Sequence, residues 1–313
     1  MAEKIATREA YGNALAEFGS EYDFVVLDAD LAAATKTGIF KKKFPERFFD
    51  CGIAEGNMMC VAAGLAAAGK TVFASSFAMF AAGRAFEPIR NAIGYPHLNV
   101  KIGATHAGIT VGEDGATHQC LEDIALMRTI PGMTVINPAD AVEARAAVKA
   151  AILQKGPMYL RFGRLAVPVI YDKDSYRFEI GKGVVMTEGC DVALVATGIM
   201  VNMALEAAKV LEERGIHARV INIHTIKPID RELLLRAAGE CGAIVTAEEH
   251  NVISGLGSAV AEVVSEACPV PVIRLGTEDR FGHSGKVPPL LEMYGLTVQN
   301  LVAKAELAVS LKK

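Results

Sequence analysis

A glutamate stands inside an unusually apolar stretch of the chain. The segment FFDCGIAEGNMMCVAAGLAAAG, residues 48–69, places Glu55 between a turn marked by Gly52 and a run of alanine, methionine and valine that should be buried. A carboxylate in such surroundings has two explanations. It can interact with the positive end of a helix that begins there, or it can share a proton or hydrogen bond with a bound molecule. On these residues alone, both explanations stay open.

A second group of reactive residues lies in a glycine-rich loop. His106 precedes the segment GITVGEDGATHQ, residues 108–119, which contains Glu113, Asp114 and His118. Its glycines permit backbone conformations with positive φ and close approach to a ligand. A single histidine is more often structural, but two histidines flanking an acidic loop favour a functional site. These side chains would suit a metal by type, but their spacing matches no zinc signature.

Three further sets of side chains follow predicted strands. They are Asp28 and Asp30 after the first strand, Phe77 and Phe80 after the second, and Arg161 and Arg164 after a later one. Ligands collect at the carboxyl ends of strands in open α/β sheets, so these positions are candidates for a site. Phenylalanines at this spacing are more often core residues. Arginines at a strand end are either ordinary surface charges or ligands for a phosphate.

These side chains need a scaffold that brings the strand ends together. Short apolar runs alternate with alanine-rich helical segments, which predicts an α/β protein of two domains, each a mostly parallel sheet flanked by helices. The predicted strands of the first series occupy 24–30, 71–76, 99–105, 133–138 and 157–162, and those of the second series occupy 191–198, 217–228, 242–249 and 270–276. The polar stretch 166–183 between the two series indicates an interdomain connection. We therefore predict domains at 1–175 and 176–313.

Composition limits the classes of partner. The chain has 313 residues, of which 51% are hydrophobic, and its formal net charge is -4. Without a basic surface, neither nucleic acid nor an anionic membrane is a favoured partner. The six cysteines form no CxxC pair, and no apolar run is long enough to span a membrane, so we predict a cytoplasmic protein. The sequence also has no GxGxxG and no GxxxxGK[ST], so neither a Rossmann fingerprint nor a P-loop is supported.

Four segments together resemble the C-terminal half of transketolase, in the form in which the enzyme is divided between two chains. They are DCGIAEGNMMCVAAGLAAAG, SSFAMFAAGRAFEPIRN, GATHAGITVGEDGATHQCLEDIALMRTIPGMTVINPAD and VATGIMVNMALEAAKVLEERGI. The likeness runs nearly end to end, and the THxG…GEDGxTHQ loop is specific for the transketolase and deoxyxylulose-phosphate synthase branch of thiamine diphosphate enzymes. The resemblance implies a pyrimidine-binding domain followed by a transketolase C-terminal domain.

The resemblance implies a role for several candidates around a cofactor. Glu55 matches the catalytic glutamate that hydrogen-bonds N1′ of the aminopyrimidine of thiamine diphosphate. Phe77 and Phe80 match the aromatic wall against which this ring stacks. Asp30 and Leu31 match the Asp-Leu step that approaches the cofactor from the first strand. In this arrangement the protein tunes the cofactor, and the cofactor carries the carbanion chemistry.

The same resemblance implies the contacts to a sugar phosphate substrate. His106, Asp114 and His118 match loop residues that contact the hydroxyls, carbonyl or phosphate of the sugar, and we count both histidines as catalytic candidates. Arg161 matches the arginine that contacts the phosphate after the strand, and Arg164 is the near alternative. A histidine at position 106 favours transketolase, because the synthase branch usually has Asp-Arg-Ala there.

One element that the family requires is missing from this sequence. The family holds the diphosphate of the cofactor and a divalent metal, Mg²⁺ or Ca²⁺, with a GDG motif followed by Asn, and this chain has no GDG. The resemblance therefore implies a partner, the N-terminal section of a transketolase, which carries the diphosphate-binding domain and the metal. With sites at the interface, a two-fold α2β2 assembly is the simplest arrangement.

The leading hypothesis is a transketolase subunit that transfers a two-carbon ketol group from a ketose phosphate to an aldose phosphate and is active only with its partner. Two alternatives from the same superfamily are the β subunit of a 2-oxo acid dehydrogenase and an acyloin transferase similar to deoxyxylulose-phosphate synthase. His106 and the GEDGATHQ loop argue against the dehydrogenase. The alternative from a different class is a non-catalytic assembly or binding protein.

Overall fold

Two sheets contain most of the strands. The computed structural model describes residues 3–312. The strands are β1 (Lys4–Ala6), β2 (Val25–Asp28), β3 (Phe48–Asp50), β4 (Val72–Phe77), β5 (Val100–Thr105), β6 (Thr134–Ile136), β7 (Met158–Arg161), β8 (Ala166–Pro168), β9 (Val184–Thr187), β10 (Val192–Ala196), β11 (Ala218–Asn222), β12 (Thr225–Lys227), β13 (Ile244–Asn251) and β14 (Val272–Thr277). The α-helices are α1 (Thr7–Phe18), α2 (Ala32–Thr35), α3 (Gly38–Lys43), α4 (Glu55–Ala67), α5 (Phe86–Pro88), α6 (Asp123–Thr129), α7 (Ala141–Leu153), α8 (Met200–Glu213), α9 (Arg231–Cys241), α10 (Leu256–Ala267), α11 (Val287–Met293) and α12 (Val298–Ser310). Two π-helical turns, Met79–Arg84 and Ile89–Gly94, flank α5, and 3₁₀ turns span Pro45–Arg47 and Ile109–Asp114.

Both sheets are mostly parallel. The first has seven strands in the order β12-β6-β7-β5-β4-β2-β3, and only β12 runs antiparallel to its neighbour. The second has five strands in the order β14-β13-β10-β11-β9, with β9 antiparallel at one edge. A separate antiparallel pair joins β1 to β8. The prediction of two mostly parallel sheets flanked by helices is confirmed.

One predicted strand divides between the two sheets. The run 217–228, predicted as a single strand, forms β11 in the second sheet and β12 at the edge of the first. The chain crosses between the sheets at His224, whose carbonyl accepts a hydrogen bond of 2.8 Å from the backbone N–H of Asn137. Residues on both sides of position 175 thus contribute strands to the first sheet, and the division at 175 stays a prediction.

The central strands of the first sheet are buried on both faces. Every residue of β4, β5 and β7 is buried, including polar and charged ones such as Ser75, Lys101 and Arg161, so these strands have no solvent-facing side. Because β2, β4, β5 and β7 are parallel neighbours, their carboxyl ends meet at one edge of the sheet. This edge therefore collects the residues that end or follow those strands. Within residues 3–312, no helix combines the length and the apolarity needed to cross a membrane.

A buried carboxylate links the first sheet to the second half of the chain. Glu143 on α7 is fully buried and accepts hydrogen bonds from the backbone N–H of Ala139 at 2.7 Å, from Nδ2 of Asn222 at 2.9 Å and from the Tyr176 hydroxyl. Asn222 ends β11 of the second sheet. Burial raises the pKa of Glu143 to about 7, because water no longer solvates the charge.

We expect Glu143→Gln to remove a pH dependence from the stability of the protein. A carboxyl whose pKa is 4.5 when unfolded and about 7 when folded stabilises the fold fully below pH 4.5, and this stabilisation is lost as the pH rises through 7. The free energy of unfolding of the wild type, relative to that of the variant, should fall by up to about 3 kcal/mol across this range. Urea unfolding at a series of pH values measures the difference, and parallel pH profiles would contradict a raised pKa.

Candidate active site

An aromatic cluster forms where β4 and β5 end. The ring of Phe77 stacks on the imidazole of His106 with 3.7 Å between their centroids, and its centroid lies 5.9 Å from that of Phe80. The imidazole of His118 meets the Phe80 ring edge-on at 5.2 Å. Four of the residues predicted for the site, separated by up to 41 positions in the sequence, are thus in one group.

Glu55 lies next to this cluster. It is the first residue of α4, and its side chain is 2% exposed, so the expectation of a buried carboxylate is confirmed. Nη1 of Arg84 lies 3.2 Å from its Oε2, and the guanidinium carbon of Arg84 lies 5.1 Å from the centroid of the Phe80 ring. Arg84 therefore connects the buried carboxylate to the aromatic cluster.

His106 is held as a neutral imidazole. Nη1 of Arg8 lies 2.9 Å from its Nε2, and Oγ1 of Thr105 lies 2.9 Å from its Nδ1. Because a guanidinium can only donate, Nε2 accepts and the proton is on Nδ1. Burial, and then the charges of Arg8 and Arg164, lower the pKa of His106 to about 3. Its backbone adopts a φ of 56°, a left-handed conformation that is uncommon outside glycine and often found at functional sites.

The histidine-containing loop is fastened from behind by the second half of the chain. Oε1 of Glu249 accepts a hydrogen bond of 2.6 Å from the backbone N–H of Thr110, and Nε2 of Gln119 donates to the carbonyl of His283 at 2.9 Å. A Cβ atom at Gly108, where φ is 83°, would lie 2.3 Å from the carboxyl carbon of Glu249, so the close approach requires glycine.

The front of the loop is open to solvent. Asp114 and Glu113 are exposed, whereas His118 is half-buried and its Nδ1 lies 2.9 Å from Oγ1 of Thr117. Asp114 and Nε2 of His118 are therefore among the polar groups that the loop offers to a ligand at its front, together with Glu113 and Thr117. The loop thus presents both of its predicted substrate contacts on the accessible side.

Arg161 is part of an internal ion pair. Its buried guanidinium donates from Nε to Oδ2 of Asp123 at 2.8 Å and from Nη2 to the carbonyls of Glu249 at 3.0 Å and Cys120 at 3.4 Å. The hydroxyl of Tyr159 donates to the same Asp123 oxygen at 2.8 Å. The guanidinium is therefore directed into the protein, and the structure does not bring Arg161 to the aromatic cluster.

Arg164 and Arg8 are the arginines on the His106 side of the cluster, away from Arg84 at Phe80. Arg164 is 37% exposed, and its Nη1 donates to the carbonyl of Val111 and lies 3.3 Å from Oε2 of Glu113. Sequence reasoning missed Arg8, which lies 98 positions before His106 in the chain. The sequence gives only a weak indication of this role. Arg8 lies in the first turn of α1, where the helix dipole disfavours a positive charge, and a residue in an unfavourable position often has a function elsewhere.

The turn after β2 is organised by Asp28. This buried carboxylate accepts hydrogen bonds from the backbone N–H of Leu31 at 2.7 Å and from the hydroxyls of Thr35 and Thr37 at 2.7 and 2.8 Å. Burial raises the pKa of Asp28 to about 6. The predicted cofactor contacts follow it directly: Asp30 is exposed with a φ of 61°, and Leu31 is half-buried.

A cavity of about 610 Å³ opens beside the aromatic cluster. Phe80 and Arg84 line it on one side, Thr117 lines it from the loop, and Arg280 and Phe281 line it from the second half of the chain. The site is therefore bounded by both halves. In the part of the chain that the structure describes, no group of three or more His, Cys, Asp or Glu side chains is arranged to hold a metal ion.

Replacing the two strand-end arginines should separate their roles. Arg161→Met leaves Asp123 buried without its cation, so we expect the free energy of unfolding to fall by about 3–5 kcal/mol. Arg164→Met removes a partly exposed charge and should cost at most about 1 kcal/mol. Urea unfolding of both variants measures the difference, and equal losses would contradict this separation.

Comparison with known proteins identifies the family of this chain. Residues 3–169 match the transketolase pyrimidine binding domain, and residues 181–301 match the transketolase C-terminal domain. The chain is 50% identical over 300 residues to a putative transketolase C-terminal section of Methanocaldococcus jannaschii, covering 95% of this chain and 94% of that protein. It is 45% identical over 299 residues to a 6-deoxy-6-sulfo-D-fructose transketolase subunit of Clostridium sp., covering 95% of this chain and 92% of that subunit.

A solved structure gives the same result. A split gene transketolase, described as an inactive beta4 tetramer, superposes with a TM-score of 0.91 at 57% identity, covering 99% of this chain and all of that one. The resemblance inferred from the sequence motifs is confirmed. This chain belongs to the transketolase family.

Proposed function

We propose that this chain is the subunit of a thiamine-diphosphate-dependent transketolase that moves a two-carbon ketol group from a ketose phosphate to an aldose phosphate. One observation carries the proposal: a buried carboxylate, Glu55, lies beside a stacked aromatic pair at the same sheet edge as a neutral histidine flanked by two arginines. Ketol transfer needs an acid-base group next to a heteroaromatic cofactor and an anion site for the sugar, and these side chains would supply both.

The residues fit the aminopyrimidine of thiamine diphosphate. The rings of Phe77 and Phe80 are tilted by only 15° from each other and offer an apolar surface for stacking. Glu55 would share a proton with N1′ of the pyrimidine, and its burial would strengthen that hydrogen bond. When bound, the cofactor supplies the carbanion chemistry by which a carbon–carbon bond of the sugar is broken and formed. Asp30 and Leu31, on the turn held by Asp28, are the proposed contacts from β2.

The anion of the substrate is best assigned to Arg8 and Arg164. Both guanidiniums lie close enough to His106 to lower its pKa, and Arg164 is partly exposed, whereas Arg161 is directed into the interior. Guanidinium groups bind phosphate through charge-assisted hydrogen bonds. The Clostridium relative is named for a sulfonated ketose, which is also an anionic sugar. We therefore assign the phosphate of the substrate to Arg164 and Arg8, and no longer to Arg161.

The remaining polar groups would orient the sugar. His106, neutral and with its proton on Nδ1, would act through hydrogen bonds rather than through a positive charge. His118 and Asp114, at the accessible side of the loop, remain the proposed contacts to hydroxyl and carbonyl groups, and His118 is the better candidate for moving a proton between substrate atoms. The apolar rings behind them would limit the access of water to the reacting atoms.

The proposed activity requires a partner subunit. The chain lacks the GDG motif, and no metal-binding group appears among residues 3–312, so the diphosphate and its Mg²⁺ or Ca²⁺ would be held by an N-terminal-section subunit. A relative named as a C-terminal section and a split-gene structure described as inactive support this division. An α2β2 assembly remains the simplest proposal for the complex.

Glu55→Ala should abolish most of the activity of the complex. In enzyme reconstituted with the partner subunit, thiamine diphosphate and Mg²⁺, we expect turnover of a ketose phosphate to fall by about 100-fold or more. Circular dichroism and gel filtration should show unchanged folding and assembly. Glu87→Ala, an exposed glutamate of α5, is the matched control. Near-normal turnover in Glu55→Ala would contradict the proposed role, and robust turnover by this chain alone would contradict the need for a partner.

Arg8→Gln and Arg164→Gln should weaken the binding of phosphorylated substrates. Because each loses a charge-assisted hydrogen bond, we expect the KM for a ketose phosphate to rise by about 10-fold or more. In Arg164→Gln, turnover of an unphosphorylated ketose should change little, which separates phosphate binding from general damage; Arg8→Gln also releases His106 and should lower this turnover as well. Arg177→Gln, in the exposed connection between the sheets, is the control. Equal losses with both classes of substrate in Arg164→Gln would contradict an anion site at these arginines.

A further inference from the structure

Arg84 is a charged residue of the site that the proposed mechanism does not use. It ends the π-helical turn Met79–Arg84, and its side chain is 59% exposed. Within residues 3–312, its guanidinium is the only side-chain donor to the carboxylate of Glu55. The same guanidinium lies over the ring of Phe80.

The contact between Arg84 and Glu55 is suited to being broken. A buried carboxylate without a donor is costly, so some partner is needed in the chain as it stands. The contact is nevertheless a single N–O approach of 3.2 Å, rather than the two short parallel bonds of a strong arginine–carboxylate pair. A largely exposed arginine can leave such a contact and regain water at little cost.

Arg84 also contacts the two groups that the proposed function assigns to the aminopyrimidine, the carboxylate of Glu55 and the ring of Phe80. A ring bound between these two groups would compete with Arg84 for them. The cavity beside Arg84 has carboxylates of Glu122 and Asp279 on its wall, so a displaced guanidinium has room and opposite charges to receive it.

We propose that Arg84 is a positioning residue that occupies the place of the aminopyrimidine: it pairs with Glu55 in the cofactor-free chain and is displaced when the ring binds. This inference rests on the function proposed above and adds a regulatory contact to the same site. Arg84 would keep the buried carboxylate paired and correctly placed until the cofactor arrives. The free-energy cost of displacing Arg84 would lower the apparent affinity for the cofactor, because the ion pair must be broken before the ring can bind.

The test measures cofactor binding rather than activity. Titration calorimetry of thiamine diphosphate with Mg²⁺ into the reconstituted complex should show that Arg84→Met binds the cofactor about two- to fivefold more tightly than the wild type. Arg90→Met, an exposed arginine of the next π-helical turn, should bind like the wild type. Weaker binding by Arg84→Met would make Arg84 a ligand of the cofactor and overturn the inference, as would unchanged binding.

A double-mutant cycle isolates the contact with Glu55. Glu55→Ala should weaken cofactor binding, and adding Arg84→Met in that background should change the affinity no further, because the competition acts through the shared carboxylate. A full effect of Arg84→Met without Glu55 would overturn the inference. If the wild-type complex binds no thiamine diphosphate, the proposed function falls and this inference falls with it. Tight binding that is insensitive to Arg84 overturns the inference alone.

Discussion

The buried ion pair between Arg161 and Asp123 is the interaction on which the geometry of the site depends. It joins the end of β7 to the start of α6, and a second bond from Arg161 reaches the carbonyl of Glu249 on β13 of the other sheet. The histidine-containing loop lies between β5 and α6, so this pair fixes the point where the loop ends. Buried ion pairs add little net stability because desolvation offsets their attraction, and Oδ1 of Asp123 has no hydrogen-bond partner among residues 3–312. Its contribution is better understood as placing three elements relative to one another.

Burial disfavours charge on two groups in the site, and positive charge remains on the arginines beside one of them, His106. Desolvation raises the pKa of Asp28 to about 6 and lowers that of His106 to about 3, so burial acts against the charged form of each. Arg8 and Arg164 keep their charges beside the neutral His106. The electrostatic potential near this histidine is therefore positive, and a positive potential would stabilise an anionic sugar.

Structural elements could be predicted from the sequence where short-range patterns of residues determine them. The largely apolar runs of β4 and β5 and the glycine-rich loop were recognisable because burial on both faces and positive φ restrict residue types locally. The path of 217–228 was not recognisable, because only two residues separate β11 from β12 and the switch between sheets depends on a distant partner, β6. Arg161 and Arg164 could not be ranked for a similar reason: the residue that binds Arg161 internally, Asp123, lies 38 positions away. Long-range pairing of this kind leaves no local trace.

The second half of the chain carries no group assigned to the chemistry, yet it completes the site. Glu249 and the carbonyl of His283 bind the loop from behind, so the histidines of the first half are positioned by residues more than 120 positions away. Two large apolar side chains are nevertheless exposed near the site: Phe281, which lines the cavity, is 88% exposed, and Ile53, two residues before Glu55, is 76% exposed. Large apolar side chains exposed beside a site are stabilised when another surface covers them. A division of the enzyme between two chains accounts for both facts, because this chain would supply the pyrimidine side and the rear support, and its partner the remaining wall.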